Sequence, residues 1–136
     1  PVYNDWESLK KLLIEINGNI KYFNEISFEC LIVNDASTIQ PPKLNKPSNF
    51  ESVELLNMSE NRGHARCNAF GIRYIFQNKK FDNLILMDGD GEDRPEEIKS
   101  LVEEIEIDPK HSVVARRVKR SEGVFFSFVY HMLQMF

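Results

Sequence analysis

Apolar residues near the start of the chain recur at intervals of three and four, which is the spacing of one helix face. The pattern predicts a helix that begins near Trp6, and the side chain of Asn4 or Asp5 can cap its first turn. Asn17-Gly18 is a stop signal for this helix, because asparagine and glycine favour helix ends. The expected core face consists of Leu9, Leu12, Leu13 and Ile16.

Two later segments show the same spacing. One follows the turn SENRGH and ends near Asn78. The other begins at Pro95, which suits the first helical position because proline has no N–H to leave unpaired there. The expected apolar stripe of the earlier helix is Ala65, Ala69, Ile72 and Phe76. The expected core face of the later helix is Ile98, Leu101, Val102 and Ile105.

Short apolar runs between these helices predict β-strands, in chain order FECLIVND, VELLNM, NLILMD and SVVARR. The first is a continuous run that ends in polar residues, which is typical of a strand buried on both faces. NLILMD is the most strand-like of the set. The segment IQPPKLNKPSN, between the first two runs, has three prolines and no periodicity, so it predicts a loop.

Strands that alternate with helices predict the fold class, an α/β, Rossmann-like and mostly parallel sheet with helices on both faces. Ligands of such sheets bind beyond the carboxyl ends of the strands. Polar clusters follow three of the predicted strands, namely Asn34-Asp35, Asp88-Gly89-Asp90 and Arg116-Arg117. We expect these clusters to converge on one cleft.

Length and composition narrow the class of protein. A chain of 136 residues with 42% apolar residues suits a single folded domain spanning residues 1–136, and both ends look cut from a longer chain. The net charge of -4 gives no basic footprint for nucleic acid. We expect Cys30 and Cys67 to be buried free thiols. Because no apolar run reaches the roughly 18 residues of a membrane span, we also expect a cytoplasmic location.

The stretch ILMDGDGEDRPEEI places an apolar run directly before Asp88, Asp90, Glu92 and Asp93. Crowded carboxylates repel one another, so such a cluster favours a bound cation or a shared proton. An EF-hand is excluded, because the sixth and twelfth positions from Asp88 are Asp93 and Lys99. The glycine between Asp88 and Asp90 lets both carboxylates turn toward one divalent ion with open positions for phosphate oxygens. A solvated acidic turn is the alternative.

Several other residues have both a functional and a structural interpretation. Asp35 could accept a hydrogen bond from a nucleobase ring N–H, but by itself it is more typical of a helix cap or of an Asx turn before Ser37 and Thr38. Arg116 and Arg117 could bind phosphate or lie on the surface. His64, at a helix start, is more typical of a cap or contact residue than of a general base. Asp93 suits a cap for the following helix better than a role in orienting the acidic loop.

Five segments occur in an order and approximate spacing that resemble a known family: PVYND, LIVNDAST, NRGHARCNAFG, LILMDGDGEDRPEEI and VVARRVKR. The chain resembles the family 2 glycosyltransferases with the GT-A fold. Within that family it most resembles the polyprenyl-phosphate sugar transferases of the dolichyl-phosphate mannose synthase type. The resemblance covers nearly the whole chain and implies a truncated GT-A nucleotide-sugar-binding domain.

The resemblance also implies roles for residues at matching positions. The opening segment would border the nucleotide, Asp35 would contact its base, and an N-x-G motif would line its pocket together with Ala65 or Ala69. The substrate-binding residues implied in this way are Pro1, Tyr3, Asp5, Asp35, Asn61, Gly63 and Arg120.

The acidic stretch matches the D-x-D motif that holds ribose and metal in the family. Glu92 stands where the polyprenyl-phosphate subgroup commonly has glutamine, which adds a charge beside the metal. Arg117 matches the arginine of a G-S-R motif in the next strand. The implied catalytic residues are Asp88, Asp90 and Arg117, and the implied metal ligands are Asp88, Asp90 and Glu92.

The activity implied by the resemblance is that of a metal-dependent, inverting glycosyltransferase with Mg²⁺ or Mn²⁺. It would move a sugar from a UDP- or GDP-linked donor to an acceptor such as a polyprenyl phosphate. The alternative is a nucleotide-sugar-binding half-domain without independent catalysis. A nucleotidyltransferase is disfavoured, because no glycine-rich phosphate loop precedes the D-x-D segment. The C-terminal segment VFFSFVYHMLQMF suits a core helix or a peripheral contact with the cytoplasmic face of a membrane.

Overall fold

The computed structural model describes residues 1–110, 112 and 113. Its regular elements, in chain order, are α1 (Trp6–Ile20), β1 (Glu29–Asn34), β2 (Ser52–Asn57), α2 (His64–Asn78), a 3-10 turn (Pro95–Glu97) and α3 (Ile98–Ile107). The three predicted helices and the first two predicted strands are therefore confirmed, as is the proline-rich loop between the strands.

The two strands pair in parallel, with Glu29 opposite Ser52 at one end of the ladder and Asn34 opposite Asn57 at the other. Successive side chains of a strand point to opposite faces of the sheet. On β1, Ile32 lies in the core that α1 builds, whereas Val33 lies against α2. Helices therefore cover both faces of this parallel pair, which confirms the predicted α/β class.

Helix α1 supplies most of the apolar core. Asp5 is its N-cap and accepts a hydrogen bond from the backbone N–H of Ser8 at 3.2 Å, as the sequence predicts. The predicted stop at Asn17-Gly18 is wrong, because the helix continues to Ile20. Ile20 is only 2% exposed, and its burial offsets the low helix propensity of Gly18. The buried residues of α1 are Trp6, Leu9, Leu12, Leu13, Ile16 and Ile20.

Helix α2 buries a different face from the predicted one. Its buried residues are Cys67 and Gly71, whereas Phe76 of the predicted stripe is 69% exposed. The reason is close approach to β1, since a Cβ atom added at Gly71 would lie 2.7 Å from Cγ2 of Val33. Small residues mark the contact of α2 with the sheet, and hydrophobic spacing does not detect them. The exposed members of the predicted stripe are Ala65, Ala69 and Phe76.

The run NLILMD, predicted as the most strand-like, forms no strand in the structure. Ile85 and Met87 pack against the core, whereas Leu86 between them is exposed, so the segment alternates as a strand does. It lacks the ladder that defines a strand. Val2 makes an isolated parallel bridge with Asn34 of β1, and Pro1 accepts a hydrogen bond from the Gly89 N–H that follows this segment.

The third helical segment follows the prediction. Pro95 opens the 3-10 turn, and Ile98 and Val102 of α3 are buried. In the part of the chain that the structure describes, no helix is long and apolar enough to cross a membrane. Residues 114–117 of the predicted strand SVVARR and the apolar C-terminal segment lie outside the described residues.

Candidate active site at the carboxyl end of β1

The start of the chain joins two of the polar clusters. Val2 lies beside β1, where its N–H donates to the Val33 carbonyl at 2.8 Å and its carbonyl accepts from the Asp35 N–H at 2.9 Å. The Pro1 carbonyl points to the other side of the chain, as a trans peptide requires, and accepts from the Gly89 N–H at 3.1 Å. The carboxyl end of β1 and the acidic loop therefore meet across Pro1 and Val2, as predicted.

Gly89 is required at this junction. A Cβ atom added there would collide with the Pro1 carbonyl oxygen, so no larger residue fits between the two aspartates without a backbone shift. The D-G-D sequence thus reflects a close backbone approach as well as a turn. The third predicted cluster, Arg116-Arg117, lies outside the described residues.

Asp35 is buried and is held by backbone groups. It is 4% exposed, and its two carboxylate oxygens accept from the N–H groups of Arg62 and Gly63, each at 2.9 Å. The local turn considered for Asp35 is made by Asn34 instead, whose Oδ1 accepts from the Ser37 N–H at 2.9 Å. The sequence carries no local signal for the contacts of Asp35, because its partners are 27 and 28 residues away.

The backbone on either side of this site is strained. Asn4 and Ala36 are the two non-glycine residues in the described chain with positive φ, at 58° and 54°. Two hydrogen bonds hold Asn4 in this conformation. Its backbone N–H donates to Oγ of Ser37 at 2.8 Å, and its Oδ1 accepts from the Ile39 N–H at 3.0 Å. Strained backbone of this kind clusters at functional sites, so its position supports a site beside Asp35.

Hydrogen bonds within the acidic loop fix its shape. Asp93 accepts from the Asp88 N–H at 2.8 Å, and Asp90 accepts from the Glu92 N–H at 2.9 Å. The preference for Asp93 as a helix cap is therefore wrong, since the residue before the 3-10 turn is Arg94 and no side chain caps it. Asp93 instead orients the loop that carries Asp88.

The side chain of Asp88 lies close to α2. Its Oδ1 is 3.4 Å from Nε2 of His64, the first residue of that helix, and the same nitrogen is 3.0 Å from Nδ2 of Asn68. Burial raises the pKa of the Asp88 carboxyl above its ordinary value, and the charges of Asp93 and Asp90 act in the same direction. His64 opposes this rise in pKa. The negative charges of Asp90 and Asp93 therefore disfavour ionisation of Asp88, and a bound cation would offset that effect.

The metal ligands remain a prediction. Among the described residues, no group of three or more histidine, cysteine, aspartate or glutamate side chains is arranged to hold a metal ion. Asp90 and Glu92 are both exposed, and the contact between them is the turn bond to the Glu92 backbone. Asp88 and Asp90 nevertheless offer carboxylate oxygens, which are the ligands that Mg²⁺ and Mn²⁺ prefer.

Two of the remaining expected site residues, Tyr3 and Asn61, are exposed near this edge. Tyr3 is 48% exposed beside Val2, and Asn61 is exposed just before the Arg62 and Gly63 amides that Asp35 binds. Asp5 has a structural role as the N-cap of α1. Arg117 and Arg120 lie outside the described residues. His64, for which the sequence favoured a cap or contact role, contacts Asp88 and does not cap α2.

Comparison with known proteins agrees with the geometry. No curated protein and no solved structure matches the chain. The family model described as Glycosyl transferase family 2 matches residues 1–134, which is nearly the whole sequence. That match, together with a parallel α/β unit whose acidic loop lies at the carboxyl end of a strand, shows that the chain belongs to glycosyl transferase family 2, whose enzymes transfer sugars from nucleotide-sugar donors.

Proposed function

We propose that this chain is the donor-binding and catalytic part of a metal-dependent, inverting glycosyltransferase with a lipid-phosphate acceptor of the polyprenyl-phosphate class. The observation that supports this most directly is the junction at Pro1 and Val2. There the buried Asp35 and the acidic loop of Asp88 and Asp90 meet at one edge of the sheet.

The two groups of residues that meet at this edge suit different parts of a nucleoside diphosphate. The exposed ring of Tyr3 and the carboxylate of Asp35, which has lone pairs beyond those used by Arg62 and Gly63, suit a nucleobase. Asp88 and Asp90 suit the ribose and the diphosphate side. Two carboxylates repel a diphosphate, and a divalent cation held by Asp88 and Asp90 would offset that repulsion.

The oxygen donors of the acidic loop fit Mg²⁺ or Mn²⁺. When bound, such an ion neutralises negative charge on the departing nucleoside diphosphate. The chain's own contribution is to hold the ligands. The Asp93 carboxylate accepts a hydrogen bond from the Asp88 N–H and so fixes the Asp88 backbone. The Asp90 carboxylate is fixed in the same way by the Glu92 N–H. Glu92 is proposed as a further ligand, and Arg117 and Arg120 as further positive groups at the diphosphate.

The proposed acceptor removes the need for a strong general base. A lipid phosphate is ionised at neutral pH, so its oxygen attacks the anomeric carbon without first losing a proton to the protein. The bond from that carbon to the diphosphate oxygen breaks as the new bond forms on the opposite face. The anomeric configuration is therefore inverted.

Calorimetric titration of UDP and GDP into the 136-residue chain, with and without Mn²⁺, tests the donor site. We expect one nucleotide to bind more tightly with Mn²⁺, and we expect Asp90→Ala to lose that gain. Asp82→Ala is the matched control, because Asp82 is an exposed carboxylate that precedes the apolar run of the acidic loop. Absence of binding by both nucleotides under every condition would show that the acidic loop is a solvated turn.

Turnover separates the proposal from its alternative, a nucleotide-sugar-binding half-domain without catalysis. The chain is incubated with the nucleotide sugar of the base that binds and with a polyprenyl phosphate, and the glycolipid is measured. Product that disappears in Asp90→Ala supports the enzyme. Metal-dependent nucleotide binding without product favours the half-domain.

A further inference from the structure

A chain of contacts joins Asp35, at the proposed base end, to Asp88, at the proposed metal end. Asp35 accepts from the Gly63 N–H at 2.9 Å, and Gly63 is the N-cap of α2. His64 is the next residue, and its Nε2 lies 3.4 Å from Oδ1 of Asp88. The described part of the chain thus connects two carboxylates of the site through one helix start.

This helix start is fixed at two points, one on β1 and one directly after it. Asp35 holds the Gly63 N–H, and one turn later the Sγ of Cys67 lies 3.6 Å from the Val33 carbonyl. Cys67 is fully buried, and its N–H donates to the Gly63 carbonyl at 3.0 Å. Gly63 itself has φ of +83°, a conformation that side chains rarely adopt. Asp35 therefore bonds the backbone of the residue directly before His64.

We propose that Asp35 is a positioning residue for the acidic loop, acting through Gly63 to place His64 against Asp88. The contact network stands on its own geometry, whereas its meaning for donor binding rests on the proposed function. In that function, Asp35 affects the metal end of the donor site in addition to any contact it makes with the base. His64 serves as the contact that orients the Asp88 carboxylate.

The position of His64 can be measured without any ligand. The imidazole carbon–proton NMR signals of the chain come from His64, His111 and His131, and a His64→Asn variant assigns the first. Spectra of the wild-type chain and of every variant are recorded in the same buffer at the same pH. The Asp88→Asn variant serves as the reference, because it shows where the His64 signal lies when the contact between His64 and the Asp88 carboxylate is altered.

We expect Asp35→Asn to move the His64 signal most of the way toward its position in Asp88→Asn. The amide keeps one acceptor oxygen but turns its NH₂ group toward the other backbone N–H, so one of the two bonds is lost. Asp5→Asn is the matched control, because Asp5 also accepts from a backbone N–H at a helix start, and it should leave His64 unmoved. An unmoved His64 signal in a folded Asp35→Asn chain would overturn the proposal.

Gly63→Ala covers the case in which Asp35→Asn does not fold. An added Cβ meets no atom within 4 Å, so this variant strains the φ angle of Gly63 without filling any space. We expect it to move the His64 signal in the same way while Asp35 stays intact. If the His64 signal of Gly63→Ala stays at its wild-type position, the proposal is also overturned.

Nucleotide titration then separates positioning from base contact. If Asp35 acted only on the base, Asp35→Asn would weaken nucleotide binding equally with and without Mn²⁺. If it also positions Asp88, the gain in nucleotide affinity from Mn²⁺ should be smaller in Asp35→Asn than in the wild-type chain. We expect this gain, the dissociation constant without Mn²⁺ divided by that with Mn²⁺, to fall by roughly tenfold, as is typical when a residue that orients a metal ligand is lost. Failure of wild-type nucleotide binding would refute the proposed function, whereas the His64 signals would still decide the positioning role.

Discussion

The two faces of the β1–β2 pair differ in what they bury. The face toward α1 and α3 is covered by large apolar side chains, including Trp6, Leu9, Leu12, Leu13, Ile16, Ile20, Ile98 and Val102. On the opposite face, α2 buries Cys67 and Gly71. The first face is a packed core, whereas the second is a close backbone contact with little side-chain volume.

This difference shows how stability and site geometry are divided in the described part of the chain. Burial of large side chains on the first face supplies most of the favourable free energy of folding. The small residues of the second face let α2 approach Val33 closely, which brings Gly63 and His64 to Asp35 and Asp88. The helix that shapes the site thus rests on the less buried face, where local opening should be easiest.

The largest expected effect is loss of a core side chain on the first face. Leu13→Ala should lower the free energy of unfolding by about 2–5 kcal/mol, because Leu13 is only 4% exposed and its removal leaves a cavity. Phe76→Ala on α2 should cost about 1 kcal/mol, mostly from its edge contact with Phe81. Urea titration followed by the fluorescence of Trp6, the single tryptophan, measures both.

A control on α1 separates burial from helix propensity. Ile14 is 69% exposed on that helix, so Ile14→Ala should change stability by less than about 0.5 kcal/mol. Equal losses for Leu13→Ala and Phe76→Ala would contradict the division between the two faces.

The next effect probes the close contact of α2 with the sheet. Gly71→Ala should destabilise the fold by about 1–3 kcal/mol, because the new methyl group would lie 2.7 Å from Cγ2 of Val33. Gly18→Ala in α1 is the matched control, since its Cβ meets nothing within 4 Å and alanine should stabilise the helix by about 0.5–1 kcal/mol. Opposite signs in urea titrations support the contrast, and a neutral Gly71→Ala would refute the tight contact.

The same contrast explains what sequence reasoning could predict. Large apolar residues at helical spacing give a strong signal, so α1 and α3 were predicted with their buried faces. The buried face of α2 was predicted wrongly, because glycine and cysteine carry no periodic hydrophobic signal. NLILMD has the alternation of a strand, but a ladder requires a neighbouring strand, and no pattern within the run reveals that neighbour.

The candidate site also has features that the sequence predicts and features that it does not. That Asp35 and the acidic loop lie at one edge follows from the rule that ligands bind beyond the carboxyl ends of parallel strands. The bonds from Asp35 to Arg62 and Gly63, and the contact between His64 and Asp88, join residues far apart in sequence. Such contacts depend on the packed arrangement of α2, so no local pattern predicts them.

A smaller effect tests the role of Asp93 beneath the acidic loop. Asp93→Ala removes the acceptor of the Asp88 N–H and should cost about 1 kcal/mol. Hydrogen exchange should show a faster Asp88 amide, while the amides of α3 keep their wild-type rates because no side chain caps the turn before that helix. Faster exchange at the start of α3 with an unchanged Asp88 amide would restore the cap interpretation.

The smallest effect concerns the strained backbone beside Asp35. Ala36 has φ of 54°, which costs an alanine roughly 1 kcal/mol relative to glycine, whereas glycine loses a similar amount through the entropy of the unfolded chain. Ala36→Gly should therefore change the free energy of unfolding by less than about 0.5 kcal/mol. Ala69→Gly, at an exposed position of α2, gains no such relief and should lose about 1 kcal/mol. If both variants lose the same amount in urea titrations, Ala36 stores no strain, and the backbone beside Asp35 gives no support to a site there.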